Sequence, residues 1–218
     1  MIHLAPRTRL LAASLSALAG YVDAIGFLGT GGFFVSFMSG NSTRLGVGLS
    51  QHVAFAVTAA AFVGAFVAGV VSASLIVGRV PLRRTPVVLL IVAVALAIAA
   101  AIAPVAPRVT SFALVAFAMG AVNLMFEAEG EVRVGLTYMT GTLVKLGHRI
   151  ALALSGGDRW QWLPFLLLWS SLIAGGALGG VTYLRFGLAA LWPAAIYALL
   201  LALLLRKMPL AEPAGANV

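Results

Sequence analysis

The sequence predicts an all-α membrane protein with six transmembrane helices arranged as a 3+3 inverted repeat, plus two re-entrant or broken half-helix segments. Three observations carry that expectation. First, 62% of the 218 residues are apolar and only 9% are charged, against about 45–50% and about 25% in soluble domains. So little charge cannot coat a water-soluble globule of this size. Second, the apolar residues lie in long unbroken runs. These suit helices of about 20 residues crossing about 30 Å of hydrocarbon, not the alternating strands of a membrane barrel. Third, one polar motif occurs twice, about a hundred residues apart.

Taken in order, Arg7 and Arg9 precede a first span from Leu10 to about Gly29. Ala17-Leu18-Ala19 resembles a signal-peptide cleavage site, but the apolar run continues past it, which favours a retained helix. The second span runs from Val53 to Gly78 and stops at Arg79, Arg83 and Arg84. The third runs from Pro86 to Ala103 and ends at a turn between Pro104 and Pro107. The fourth covers Thr110 to Phe126, the fifth Leu163 to Leu184, and the sixth Gly187 to Leu205, closed by Arg206 and Lys207. The halves are thus 1–107 and 108–208, with 209–218 a disordered tail. Two segments, Phe33 to Leu49 and Val132 to Ile150, are less apolar, rich in Gly, Ser and Thr, and carry a central base. They read either as full spans, giving eight crossings, or as broken half-helices, leaving six.

Charge decides between these readings. Six crossings with both termini in the cytoplasm put eleven bases inside and three outside, the three being Arg44, Arg108 and Arg185. Eight crossings nearly abolish that bias, so the positive-inside rule favours six. The net charge of +8 sits in ones, twos and threes beside apolar runs. That pattern is topology signal and headgroup contact, not the basic stripe of a nucleic-acid binder. The chain has no cysteine, which removes disulfides and thiolate metal sites. His3, His52 and His148 are scattered and support no metal site; no nucleotide-binding fingerprint is present. No cofactor and no catalytic constellation is expected.

The broken segments are copies of each other. Ser36-Phe37-Met38-Ser39-Gly40 resembles Thr137-Tyr138-Met139-Thr140-Gly141, and Arg44-Leu45-Gly46 resembles Lys145-Leu146-Gly147, at an offset of 101. Gly20-Tyr21-Val22-Asp23 matches Gly120-Ala121-Val122-Asn123 at an offset of 100, and Gly64 and Gly69 echo Gly175 and Gly180. An odd number of crossings per half turns the second copy upside down, as in many transporters whose site lies between the halves.

Asp23 is the sharpest candidate. It lies about 20 Å along the first span, where a carboxylate is costly and usually functional. It reads as a coupling group, as a cap on the broken segment, or as an ion-pair partner of Arg44 or Lys145; Asn123 is its counterpart. Ser36, Ser39, Gly40, Asn41, Ser42 and Thr43, with Thr137, Thr140, Gly141 and Thr142, form the second constellation. Such residues make a poor lipid-facing helix, but they can re-satisfy a broken backbone. Two half-helix ends would aim N–H groups at an anionic ligand, with Arg44 and Lys145 adding positive charge. The alternative is close helix packing through small residues. Gly175, Gly176, Gly179 and Gly180 read as a close crossing within the chain or as a homodimer face. Glu127, Glu129 and Glu131 read as a solvated loop, and Trp160, Trp162 and Trp169 as an interfacial belt.

Gly20-Tyr21-Val22-Asp23-Ala24, the run Phe34 to Asn41, Asn123 and the run Thr137 to Thr142 together resemble the YoaK-like family of small bacterial inner-membrane proteins, over nearly the whole chain. The resemblance implies a multi-pass protein of the bacterial inner membrane and implies no substrate. The three glutamates depart from the family pattern. The expected function is secondary transport of a small anionic or zwitterionic solute, proton-coupled through Asp23. A passive channel and a non-transporting membrane scaffold are the alternatives.

Overall fold

The computed structural model describes residues 6–80, 84–128, 131–132 and 139–207. Their helices are α1 (Pro6–Thr30), α2 (Met38–Gln51), α3 (Val53–Val77), α4 (Arg84–Ile102), α5 (Arg108–Val122), α6 (Met139–Leu154), α7 (Leu163–Phe186) and α8 (Leu191–Lys207). A 3-10 turn, Asn123–Phe126, extends α5, and another, Gly187–Ala190, joins α7 to α8. Glu127–Ala128 pairs antiparallel with Glu131–Val132, which makes the start of the predicted acidic loop a two-residue ladder.

Among the described residues, five stretches are long and apolar enough to cross a membrane, and the last, Leu163–Arg206, is 44 residues long. It holds both α7 and α8, broken where Gly187 adopts a φ of 58°. The described parts of the two polar segments hold short helices. The first runs irregularly from Gly31 to Phe37 before α2 begins. With 14 and 16 residues, α2 and α6 reach only about 21 and 24 Å at about 1.5 Å per residue, short of the hydrocarbon thickness. Of the second segment, 133–138 lie outside the described residues, and Thr137 with them.

The helices α1 and α5 form the centre. Two-thirds of each span is buried, against 22–44% for the others. Leu15, Val22 and Ile25 of α1 and Phe112, Val115 and Met119 of α5 are core residues, and α4 adds Leu89 and Leu96. The main helix pairs are α1 with α7, α3 with α5, and α4 with α8, while α2 lies on α3 and α6 on α7. By contrast, α3 and α7 leave most of their surface open. In a chain this apolar, that outer shell is the lipid-facing surface.

Two crossings set the close approaches. A Cβ on Gly20 would overlap the carbonyl oxygen of Leu172, and one on Gly175 that of Ala17. In the other pair, a Cβ on Gly120 would overlap the carbonyl oxygen of Phe66, and one on Gly69 that of Phe117. The first-helix positions differ by 100, and the partners 66 and 69 correspond to 172 and 175 at an offset of 106. This corrects the sequence pairing of Gly69 with Gly180. Of the two sequence readings of the α7 glycine stripe, the described contacts are those of a crossing within the chain. Gly175 and Gly179 are packed against the backbone of α1, and Gly176 lies 3.6 Å from Gly20 O by the same Cβ construction. The stripe is used within the chain.

Candidate functional site

The first interrupted segment is tied to the central helix by Asp23. Gly31 (φ 73°) and Gly32 (φ 120°) turn the chain at the end of α1 through backbone angles that side chains disfavour. Thr30 stabilises the turn: its hydroxyl is 2.6 Å from Gly26 O and accepts the Phe33 N–H at 3.0 Å. The chain then runs back along α1. Asp23 Oδ1 accepts the N–H groups of Val35 (2.7 Å) and Ser36 (2.8 Å), and Oδ2 accepts the Ser36 hydroxyl at 2.8 Å. About three of the carboxylate's four acceptor positions are filled. Of the three sequence readings, the observed contacts are those of the cap; among the described residues Asp23 pairs with neither Arg44 nor Lys145.

Asn41 completes the clasp from α2. Its Oδ1 accepts the Phe34 N–H at 3.0 Å, and its Nδ2 donates to the Phe34 carbonyl at 2.6 Å. The fully buried amide thus replaces the strand partner that the extended peptide lacks. Gly40 permits the fold-back, since a Cβ there would press on the Phe37 and Phe34 rings.

Arg44 turns away from the carboxylate. Its guanidinium carbon lies 5.5 Å from the Phe33 ring centroid and 5.8 Å from those of Phe34 and Phe55. Gly32 leaves room beside it, where a Cβ would be 3.2 Å from Nη1.

The remaining candidates divide. Thr43 lies 3.2 Å from Ser39 O, and Ser42 donates to Met38 O, one turn back on α2. Both are exposed, as is Ser39, so none of the three converges on Asp23. In the second half, Asn123 is buried and donates to Met119 O at 2.8 Å, and Thr142, at the position of Asn41, is buried too. Both have further interactions. Thr140, Gly141 and Lys145 are exposed, and a Cβ on Gly141 would meet nothing within 4 Å. In the first half the N–H groups of Val35 and Ser36, just before α2, are bonded to Asp23 and not open to a ligand; the matching stretch before α6 lies outside the described residues.

Two features escaped the sequence reading. Tyr21 donates to the carbonyl of Ala190 at 2.8 Å and lies 3.0 Å from Thr182 Oγ1, tying α1 to α7 and to the turn before α8. The aromatic enclosure of Arg44 is the second; Phe33-Phe34 directly after a double glycine was its only local trace. An apolar groove of about 380 Å³ between α4 and α5, lined by Leu90, Val94, Ile98 and Phe117 among others, offers no polar group to a solute.

Residues 11–204 match the sequence profile of a family described as "Protein of unknown function (DUF1275)". The chain belongs to that family. It is also 36% identical, over 191 residues, to the UPF0700 transmembrane protein RA0705 of Rhizobium meliloti (strain 1021). The match covers 88% of this chain and 83% of that protein. No solved structure matches. The resemblance drawn from the motifs therefore stands: this is a multi-pass transmembrane protein of a family defined by sequence, in contact with the lipid bilayer.

Proposed function

We propose that the protein is a secondary transporter of a small anionic or zwitterionic solute, built from two inverted halves, 1–107 and 108–208. The observation that carries the reading is the convergence of two backbone N–H groups and one hydroxyl on Asp23. Donors in that arrangement bind a carboxylate, and here an internal one fills the place. Release of the 33–37 segment would present the same donors to an anionic solute. A proton on Asp23 favours the release, because the neutral acid is a poorer acceptor than the carboxylate. Solute and Asp23 would then compete for one set of donors, which is a chemical basis for proton coupling.

The paired crossings support the repeat. Exchanging α1 with α5, α2 with α6, α3 with α7 and α4 with α8 turns the α1–α7 pair into α5–α3, turns α2–α3 into α6–α7 and leaves α4–α8 in place, whereas the α4–α5 packing has only a slight counterpart between α8 and α1. The third helix of each half packs on the first helix of the other, so the halves are interleaved. Reading Leu163–Arg206 as two crossings gives six in all. At about 1.5 Å per residue a single helix of that length would be about twice as long as the bilayer core is thick. With the N-terminus inside, the positive-inside rule favours both termini in the cytoplasm, and the family resemblance supports an inner-membrane location.

Proteoliposome flux tests the reading. Uptake of small carboxylates and amino acids driven by a pH gradient, and abolished in Asp23→Asn, is the expected result. Flux that persists in Asp23→Asn makes the protein a passive channel. No flux for any solute in either form removes transport and leaves a scaffold.

A further inference from the structure

We propose that Arg44 is an oxyanion-binding residue, which takes a carboxylate or phosphate group at the end of α1. The assignment names the anion-recognising side chain of the transport site, and it rests on that reading only for what the bound anion is used for. Three phenyl rings at 5.5–5.8 Å from the guanidinium carbon attract the cation and fix its position. Rings satisfy its charge but accept none of its five N–H donors. Among the described residues no carboxylate, carbonyl or hydroxyl takes them. The carboxylate of Asp23 is engaged by Val35 and Ser36. A half-buried guanidinium with its donors open suits a planar, two-point oxyanion partner.

The enclosure is preformed. The Phe34 peptide is clasped at both ends by Asn41, Phe33 packs at a 45° tilt against Phe55 with 4.5 Å between centroids, and Gly32 is the residue that leaves the guanidinium its room. Little ordering remains to be done when an anion arrives, which favours binding. Depth fits as well. The 25 residues of α1 extend about 37 Å, more than the hydrocarbon thickness, so the turn beside Arg44 reaches the interfacial zone. An anion there can come from a dissolved solute or from a lipid headgroup. The second half lacks the arrangement. At the offset of 101, Phe33, Phe34 and Arg44 become Val134, Gly135 and Lys145, and Lys145 is exposed.

The test uses the full chain in nanodiscs, comparing the unmodified protein with Arg44→Gln, Arg44→Lys and the control Lys145→Gln. One arm measures retention of phosphatidylglycerol against phosphatidylcholine by native mass spectrometry. The other titrates inorganic phosphate and acetate, reading the melting midpoint. We expect Arg44→Gln to weaken one arm about tenfold, in keeping with loss of a charged hydrogen-bonding partner. Arg44→Lys, which keeps the charge and loses the planar fork, should weaken the same arm several-fold, and Lys145→Gln should change neither. Loss in the first arm identifies the lipid phosphate, and loss in the second a free oxyanion. Unchanged binding in both arms for Arg44→Gln and Arg44→Lys, or an equal loss in Lys145→Gln, overturns the proposal. If Arg44→Gln does not fold, Arg44→Lys alone decides by the same measure. The readout needs no flux, so a protein that binds the anion yet carries no solute sinks the transport reading and leaves Arg44 standing.

Discussion

Asp23 and Asn123 hold matching places on the two central helices, and their difference shows what the carboxylate adds. Either side chain can offer an oxygen to two backbone N–H groups, but only the carboxylate keeps a second acceptor for the Ser36 hydroxyl. Asp23→Asn should therefore stay folded with a modestly lower melting midpoint. Asp23→Ala leaves the Val35 and Ser36 N–H groups unpaired, at about 1–3 kcal/mol each, and should melt well below Asp23→Asn. Asn41→Ala opens both ends of the Phe34 peptide and should destabilise by a similar amount, read in the same thermal unfolding. Equal midpoints for Asp23→Asn and Asp23→Ala would mean that the clasp contributes nothing. Composition and depth singled out Asp23 as a buried charge; they could not say which donors the chain would fold back to give it.

Glycines decide the geometry of whole elements. Gly20 and Gly175 let α1 and α7 touch backbone to backbone, and Gly120 and Gly69 do the same for α5 and α3. Gly20→Val or Gly120→Val should push a crossing apart, at about 1–3 kcal/mol or more, and should lower the detergent melting midpoint. Gly64→Ala should be neutral or slightly stabilising, since a Cβ there meets nothing within 4 Å and alanine is the better helix former by about 1 kcal/mol. The recurrence of a close-packing glycine was legible from Gly20 and Gly120. The register of the third helix was not, because the second half has eight residues between α6 and α7, 155–162, where the first half has only His52 between α2 and α3. The longer connection raises the offset, which is 106 at the close crossings, and no local pattern announces it.

Across the whole molecule, topology is the property most open to a direct check, and the chain's lack of cysteine makes labelling simple. In the proposed arrangement Val105→Cys faces outward and Arg79→Cys faces the cytoplasm. An impermeant maleimide added to intact cells should label the first and spare the second. Labelling of both would break the six-crossing arrangement. The network of Tyr21, Thr182 and Ala190 ties α1 to the elements of the other half. In the proposed two-half transporter, any rocking of the halves would strain or release it. Tyr21→Phe should accordingly loosen α7 against α1, seen as faster amide exchange around Gly187, with the fold retained.

The amino-acid sequence by itself determined the solvent and the helical class. Apolar composition, run length and the placement of Arg and Lys are one-dimensional quantities, and the bilayer reads them directly. It also marked the interrupted segments, since Gly, Ser and Thr at that density cannot form a lipid-facing span. Only the tertiary structure decided what those segments touch. Asp23 meets a peptide twelve and thirteen residues away, Arg44 meets three rings, and the glycine stripe of α7 meets α1 rather than a second copy. Each outcome depends on backbone direction after the Gly31-Gly32 turn or on a helix register set by a distant loop. Partner choice in a packed interior follows geometry that residue type does not encode.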